Sequence, residues 1–232
     1  MSVHFRWLGH SSVTVDVAGL RIVTDPLLRN GLAHLRRRPP APRPQDVAGC
    51  HLALVSHLHH DHCDIASLRR LGADVVVAPP RAADWLQRKV PGTRVVEVAV
   101  GETATVSLPG RAGVVDVEVT ALPAHHDGHR SVGWIDGAPR DAVAVEHLVR
   151  IPGAFSRRDP DDLLLWAIGD TGDFPGSDAV LAAAGRAPDV TLVPVGGWGH
   201  TLGPHHLDPR QGAALCARVG PRFSIPVHWG TL

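Results

Sequence analysis

Residues 51–64, HLALVSHLHHDHCD, set an apolar run directly against a stretch crowded with lone pairs: positions 56–64 hold four histidines and two aspartates. An apolar run of this length reads as a strand, and so many polar side chains at its carboxyl end are costly to bury unless something uses them. The fold must therefore bring this strand end either to solvent or to a place where other polar groups converge. His57 and His59, two apart, point the same way on extended backbone, whereas Asp61 and His62 follow the turn into the next element and face a second point. Imidazole and carboxylate are ligands that zinc, manganese or iron accept. One loop thus offers two half-sites, each needing partners. Suitable side chains follow other apolar runs: His125 and His126 in ALPAHHDG, Asp170 in LLLWAIGDTGD, and His228 in FSIPVHWGT.

The rest of the chain has the texture of a strand-rich mixed α/β protein. SVTVDVAGLRIVTD alternates, turns at Ala18-Gly19 and resumes, which predicts a hairpin. Further strands are expected in ADVVVAPP, TRVVEVAV, VVDVEVTALP, AVAVEHLVRI, LLLWAIGD, VTLVPVGG and RFSIPVH. Asp64 is placed to N-cap a helix over IASLRRL that Gly72 ends, and Asp208 to cap one that starts with Pro209. Two more helices are expected in AADWLQRKV and SDAVLAAAG. Residues 29–46, RNGLAHLRRRPPAPRPQD, read as a long, irregular, basic loop. With no repeat and no break in composition, the 232 residues are taken as one domain, 1–232.

Composition removes several classes of function. Lys plus Arg and Asp plus Glu both number 23, so no global charge favours nucleic acid or an anionic membrane. Three cysteines (Cys50, Cys63 and Cys216) form no CxxC and suggest neither disulfides nor a zinc knuckle. No run is long enough to span a bilayer, and the first residues lack the apolar stretch of a signal peptide, so a cytoplasmic protein is expected.

The run His57-x-His59-x-Asp61-His62, followed in order by a histidine, an aspartate and a final histidine, resembles the metallo-β-lactamase-fold hydrolases. The stretches WLGHSS, VTDPLL, PAHHDGHR, GDTGDF, HLDPRQG and IPVHWGT are similar to one branch, that of the ascorbate-6-phosphate lactonases and the N-acyl-phosphatidylethanolamine phospholipases D. The resemblance runs from Trp7 to Thr231. It implies an αββα sandwich with a dinuclear metal site at the sheet edges. His57, His59 and His126 would hold one ion, and Asp61, His62 and His228 the other, with Asp170 bridging. His126 rather than His125 is implied because the ligand in such proteins lies two residues after the alanine of the PA motif. His10 and Asp25 match the GH and DP motifs and would hydrogen-bond the ligands. Cys63 is expected as a small buried side chain. His4, His34 and His147 are expected at the surface or as satisfied core residues.

Two metal ions held together lower the pKa of a bridging water from about 15.7 towards neutrality, giving hydroxide that attacks a carbonyl or phosphorus. Asp61 is placed to orient it and take its proton, and His206, by resemblance to the phospholipases, to face the substrate. Arg36, Arg37 and Arg38 would form a clamp for an anionic small molecule, with a solvated basic loop as the other reading of the run. The expected activity is hydrolysis of a lactone or phosphodiester, with two divalent ions, zinc first and manganese or iron as alternatives. A non-hydrolytic metal or redox module, or a nuclease, stays open as the other reading. Asp127 and Gly128 stand where an apolar residue and serine are usual, and the stretch from 132–134 to LLLWAIGD runs long. The chain ends four residues after His228, which implies a cleft wall that is open or supplied by a partner in a homo-oligomer.

Overall fold

The computed structural model describes residues 2–130, 135–154, 162–197 and 204–232. Residues 132–134, and residues 155–161 of the long stretch that follows them, lie outside the described residues. Two six-stranded sheets, each drawn from one contiguous part of the chain, face one another. The first contains β1 (His4–Gly9), β2 (Ser12–Val17), β3 (Leu20–Thr24), β6 (Leu52–Leu54), β7 (Val75–Ala78) and β8 (Arg94–Glu97), paired in that order. The second runs from β9 (Thr103–Gly110) through β10 (Gly113–Asp127), β11 (Val143–Ile151), β12 (Leu163–Ala167) and β13 (Val190–Pro194) to β14 (Phe223–Val227).

The apolar runs explain this layering. Successive side chains on a strand face opposite ways, so a strand covered on both faces is apolar throughout. Leu52, Leu54, Val75 and Val77 meet Leu163, Leu165 and Ala167 between the sheets. Their neighbours Ala53, Val55 and Val76 face outward onto Leu68, Leu71, Trp85 and Leu86 of α2 (Ile65–Leu71) and α3 (Ala83–Lys89). Leu164 and Trp166 pack instead with Val180 of α4 (Ala179–Ala184) and with Leu215 and Val219 of α5 (Pro209–Val219). Burial of each such Leu or Val is worth about 1.5–3 kcal/mol. The result is the expected αββα sandwich.

The hairpin turn at Ala18 and Gly19 forms with both residues at positive φ (54° and 85°). Asp64 caps α2 by accepting from Ser67 N at 2.9 Å, and Gly72 closes it in left-handed conformation. Asp208 caps α5 in a capping box with Gln211, behind Pro209. The segment 29–46 departs from the irregular loop expected. It holds a short hairpin, β4 (Gly31–Leu32) with β5 (Leu35–Arg36), and one helical turn, α1 (Pro44–Val47). Strands β1 and β9, one outer strand of each sheet, also go beyond the expectation. Strands β3 and β6 to β8 run parallel, as do β12 to β14. Their carboxyl ends deliver Asp25, His57, Asp170 and His228.

Candidate metal centre

Four chain segments carry the seven expected ligands there. His57 follows β6, and the turn beyond it is closed by hydrogen bonds from His62 N and Cys63 N to His59 O, at 3.1 and 2.8 Å. His126 comes from the end of β10, where the register with β11 slips: Pro123 pairs with Val145, but Asp127 with Val143. Such a bulge re-aims side chains. It sends His125 towards Phe174 and His205, with ring centroids 5.9 and 4.9 Å away, and His126 towards His57 and His59. Asp170 follows β12 after Gly169. A Cβ on Gly169 would lie 2.6 Å from that of Ser56, so only glycine lets the two loops approach. His228 follows β14, and its neighbour Trp229 stacks on Trp7 with centroids 4.8 Å apart.

The seven residues expected as ligands are brought together. His59 Nδ1 lies 3.0 Å from His57 Nε2 and 3.1 Å from His126 Nε2. Asp170 Oδ2 stands 3.2 Å from His62 Nε2, 3.1 Å from His228 Nε2 and 4.0 Å from His126 Nε2. Asp61 Oδ2 is 3.6 Å from His62 Nε2 and 3.7 Å from His228 Nε2. Ligand atoms within 4.8 Å of one another group as His57 with His59 and His126, as His57 with His62 and Asp170, and as Asp61, His62 and His228 with His10. His206 joins a fourth group with His126 and Asp170, its Nε2 3.3 Å from Asp170 Oδ2.

The imidazoles are oriented from behind. His62 Nδ1 donates to Asp25 Oδ2 at 2.9 Å, and His126 Nδ1 to the His205 carbonyl at 2.9 Å. Ser56 gives its hydroxyl proton to Asp25 Oδ2, so His57 Nδ1 donates to Ser56 Oγ, at 2.9 Å. These three bonds leave Nε2 facing inward, the tautomer a metal ligand requires. His10 Nε2 meets Asp61 Oδ2 at 2.8 Å. His10 and Asp25 therefore do what the GH and DP motifs implied. Ser56, Thr171 (whose hydroxyl accepts from His125 N at 2.9 Å) and Thr231 (whose hydroxyl accepts from His10 N) add supports that the motifs contain but their residue types do not announce.

Electrostatics sharpen the picture. Burial pushes His57 well below the usual histidine range, and the nearby His62 adds to it. Burial would do the same to His62 and His228, but Asp170 and Asp61 overcome it, lifting His62 strongly and His228 to about 9. Both carboxyls stay well below their usual range despite burial, because His62 acts on Asp61 and His228 on Asp170. Nevertheless, among the described residues, no well-aligned hydrogen bond satisfies His62 Nε2, either ring nitrogen of His228 or Asp170 Oδ1, all of them buried. Buried polar atoms of this kind want a ligand, and the inward-facing nitrogens and carboxylates suit a borderline divalent cation.

The arginine run divides. Arg36 and Arg38 are exposed, while Arg37 turns inward and donates to the Leu27 carbonyl at 2.9 Å and to that of Leu8. Arg38 N donates to Thr231 O at 2.8 Å, which places the hairpin beside the His228 loop. His4 and His34 are exposed, as expected. Cys63 is buried, and so is His147, whose Nε2 has no hydrogen-bond partner among the described residues.

Comparison with known proteins agrees with this geometry. The model of the beta-lactamase superfamily domain matches residues 20–229. A metal-dependent hydrolase of Cupriavidus taiwanensis is 30% identical, over 97% of this chain and 73% of its own length. The N-acyl-phosphatidylethanolamine-hydrolyzing phospholipase D 1 of Caenorhabditis elegans is 26% identical over 97% of this chain, which spans 63% of that protein. Among solved structures, the metallo hydrolase Igni18 of Ignicoccus hospitalis superposes with a TM-score of 0.67 at 22% identity, covering 99% of this chain and 84% of its own. The family model spans most of the chain and the fold agrees with it: the chain belongs to the beta-lactamase superfamily.

Proposed function

We propose that this protein is a metal-dependent hydrolase with a dinuclear centre. His57, His59 and His126 would hold one ion and Asp61, His62 and His228 the other, with Asp170 within reach of residues of both sets. The observation that carries the reading is the convergence of these seven side chains, with buried atoms of His62, His228 and Asp170 that no hydrogen bond satisfies among the described residues. Divalent ions in such a pair supply an acidified water and an electrophile for the substrate's oxygen. Asp61, its carboxylate about a quarter exposed and held by His10, takes the proton of the attacking water. His206, at the rim beside Asp170, donates a proton to the leaving oxygen.

The substrate is an anionic small-molecule ester, a lactone or phosphodiester. Supporting this are the exposed Arg36 and Arg38 on a hairpin anchored to Thr231, and the phosphodiester chemistry in the phospholipase relative's name. The test joins elemental analysis of protein purified without chelator to a panel of lactone, phosphodiester and thioester substrates. Two equivalents of metal are expected, lost on combining His57→Ala with His228→Ala. At most one equivalent, unchanged by that pair, rules out the dinuclear centre.

A further inference from the structure

Four of the proposed ligands, His57, His59, Asp61 and His62, sit on a loop, and a loop keeps such a geometry only if its backbone is tied down. Two of its carbonyls bracket the ligand run: that of Leu58, between His57 and His59, and that of Cys63, directly after His62. Both accept from one atom, Nη1 of Arg130, at 3.1 and 2.8 Å. The remainder of this buried guanidinium is equally committed. Its Nε donates to Asp136 Oδ2 at 2.9 Å, and its carbon lies over the Trp85 ring, 5.4 Å from the centroid. Trp85 completes the circuit by donating Nε1 to the Asp136 carbonyl at 3.1 Å. Leu58 is held from its other side as well, its N–H donating to the Gly128 carbonyl at 3.0 Å.

We infer that Arg130 is a positioning residue for the metal centre: aimed by Asp136 and Trp85, its guanidinium staples the carbonyls of Leu58 and Cys63 together and fixes the directions of the four ligands between and beside them. This rests on the reading of the cluster as a metal site. Only a planar fork serves the purpose. One guanidinium nitrogen holds both carbonyls while Nε faces Asp136 and the plane covers the indole, whereas a lysine ammonium is a single point that cannot also present a second nitrogen to Asp136 and a flat face to Trp85.

The experiment titrates metal-free wild type, Arg130→Lys and Asp136→Asn with Co(II), read by visible absorption, beside thermal melting of each metal-free protein. Supports of this kind typically govern metal affinity by about 10- to 100-fold. We expect a weakening in that range for Arg130→Lys, a smaller one for Asp136→Asn, and displaced Co(II) bands in both. A folded Arg130→Lys with wild-type affinity and spectrum overturns the inference, and a lowered melting temperature alone does so too, since it marks a residue of the fold only. If Arg130→Lys does not fold, Asp136→Asn decides by the same two readouts. A wild-type chain that takes up no Co(II) removes the metal centre itself, and this role with it.

Discussion

His10, Asp25 and His228 all hold left-handed backbone, with φ of 53°, 34° and 63°. A non-glycine residue there costs on the order of 1–3 kcal/mol and persists only where its surroundings over-determine it. Each of these three is held by at least one hydrogen bond into the cluster or between its loops, and together they mark where stability was surrendered for geometry. His206 is the residue whose role is most exposed to test. His206→Ala should keep both metals and lose roughly 10²–10⁴-fold in turnover, with His205→Ala close to wild type. Metal loss in His206→Ala would instead make it a ligand of the group with His126 and Asp170. A second buried acid behaves differently. Burial lifts Glu146 to about 8 against the pull of the Trp166 indole, which donates to it at 2.8 Å. The unfolded chain releases that proton near 4.5, so the stability carried by the neutral form is complete below that pH and is lost as pH rises towards 8. Glu146→Gln should show a smaller fall in urea midpoint between about pH 5 and 8 than wild type. Parallel pH profiles would show that the carboxyl ionises freely. Residue types and spacing made the seven candidate ligands legible, but not Ser56, Arg130 or the inward turn of Arg37. A serine is common in any loop and an arginine run reads as solvated until the fold shows which carbonyls face it.

At the scale of elements, the strands covered on both faces were legible and two outer ones were not. HFRWLG and TATVSLPG each leave alternate residues exposed, and the second contains Pro109, which only an outer strand tolerates well. Neither offers the continuous apolar run that betrays β7 or β12. The segment 29–46 was misread as irregular for a related reason. Its order comes from contacts at a distance, such as those of Arg37 with the carbonyls of Leu8 and Leu27. The clamp proposal is correspondingly narrower than a run of three arginines suggests. Replacing Arg36 and Arg38 together with alanine should raise KM for an anionic substrate more than it lowers kcat, whereas Arg37→Ala should lower the melting temperature. Unchanged KM in the double variant returns both residues to solvent. Helix α2 begins immediately after the ligand loop, so its cap also anchors that loop. Asp64 accepts from Ser67 N at 2.9 Å and pairs with Arg29 at 3.0 Å. Asp64→Ala should destabilise by about 1–2 kcal/mol in urea unfolding, with Asp64→Asn nearer wild type. A loss of only a few tenths would show the helix held by packing alone.

In the whole molecule, every strand of the first sheet precedes Val98 and every strand of the second follows Gly101. The proposed ligands divide along the same line, with His57, His59, Asp61 and His62 before it and His126, Asp170 and His228 after it. Metal bound there would tie the two parts together and should raise stability with the logarithm of its free concentration, by about 2.7 kcal/mol at a hundred times the dissociation constant. Chelator should lower the melting temperature of wild type and leave His57→Ala combined with His228→Ala unmoved. Equal responses would mean that the ions bind elsewhere. The same division makes the protein a natural pair of fragments. Cut between Val98 and Gly101, each piece would keep its own sheet but hold only part of every proposed metal site, while the apolar faces that meet between the sheets would still seek each other. Mixed fragments should then reassemble weakly on their own and tightly when zinc is added, so that reconstitution reports the presence of the metal.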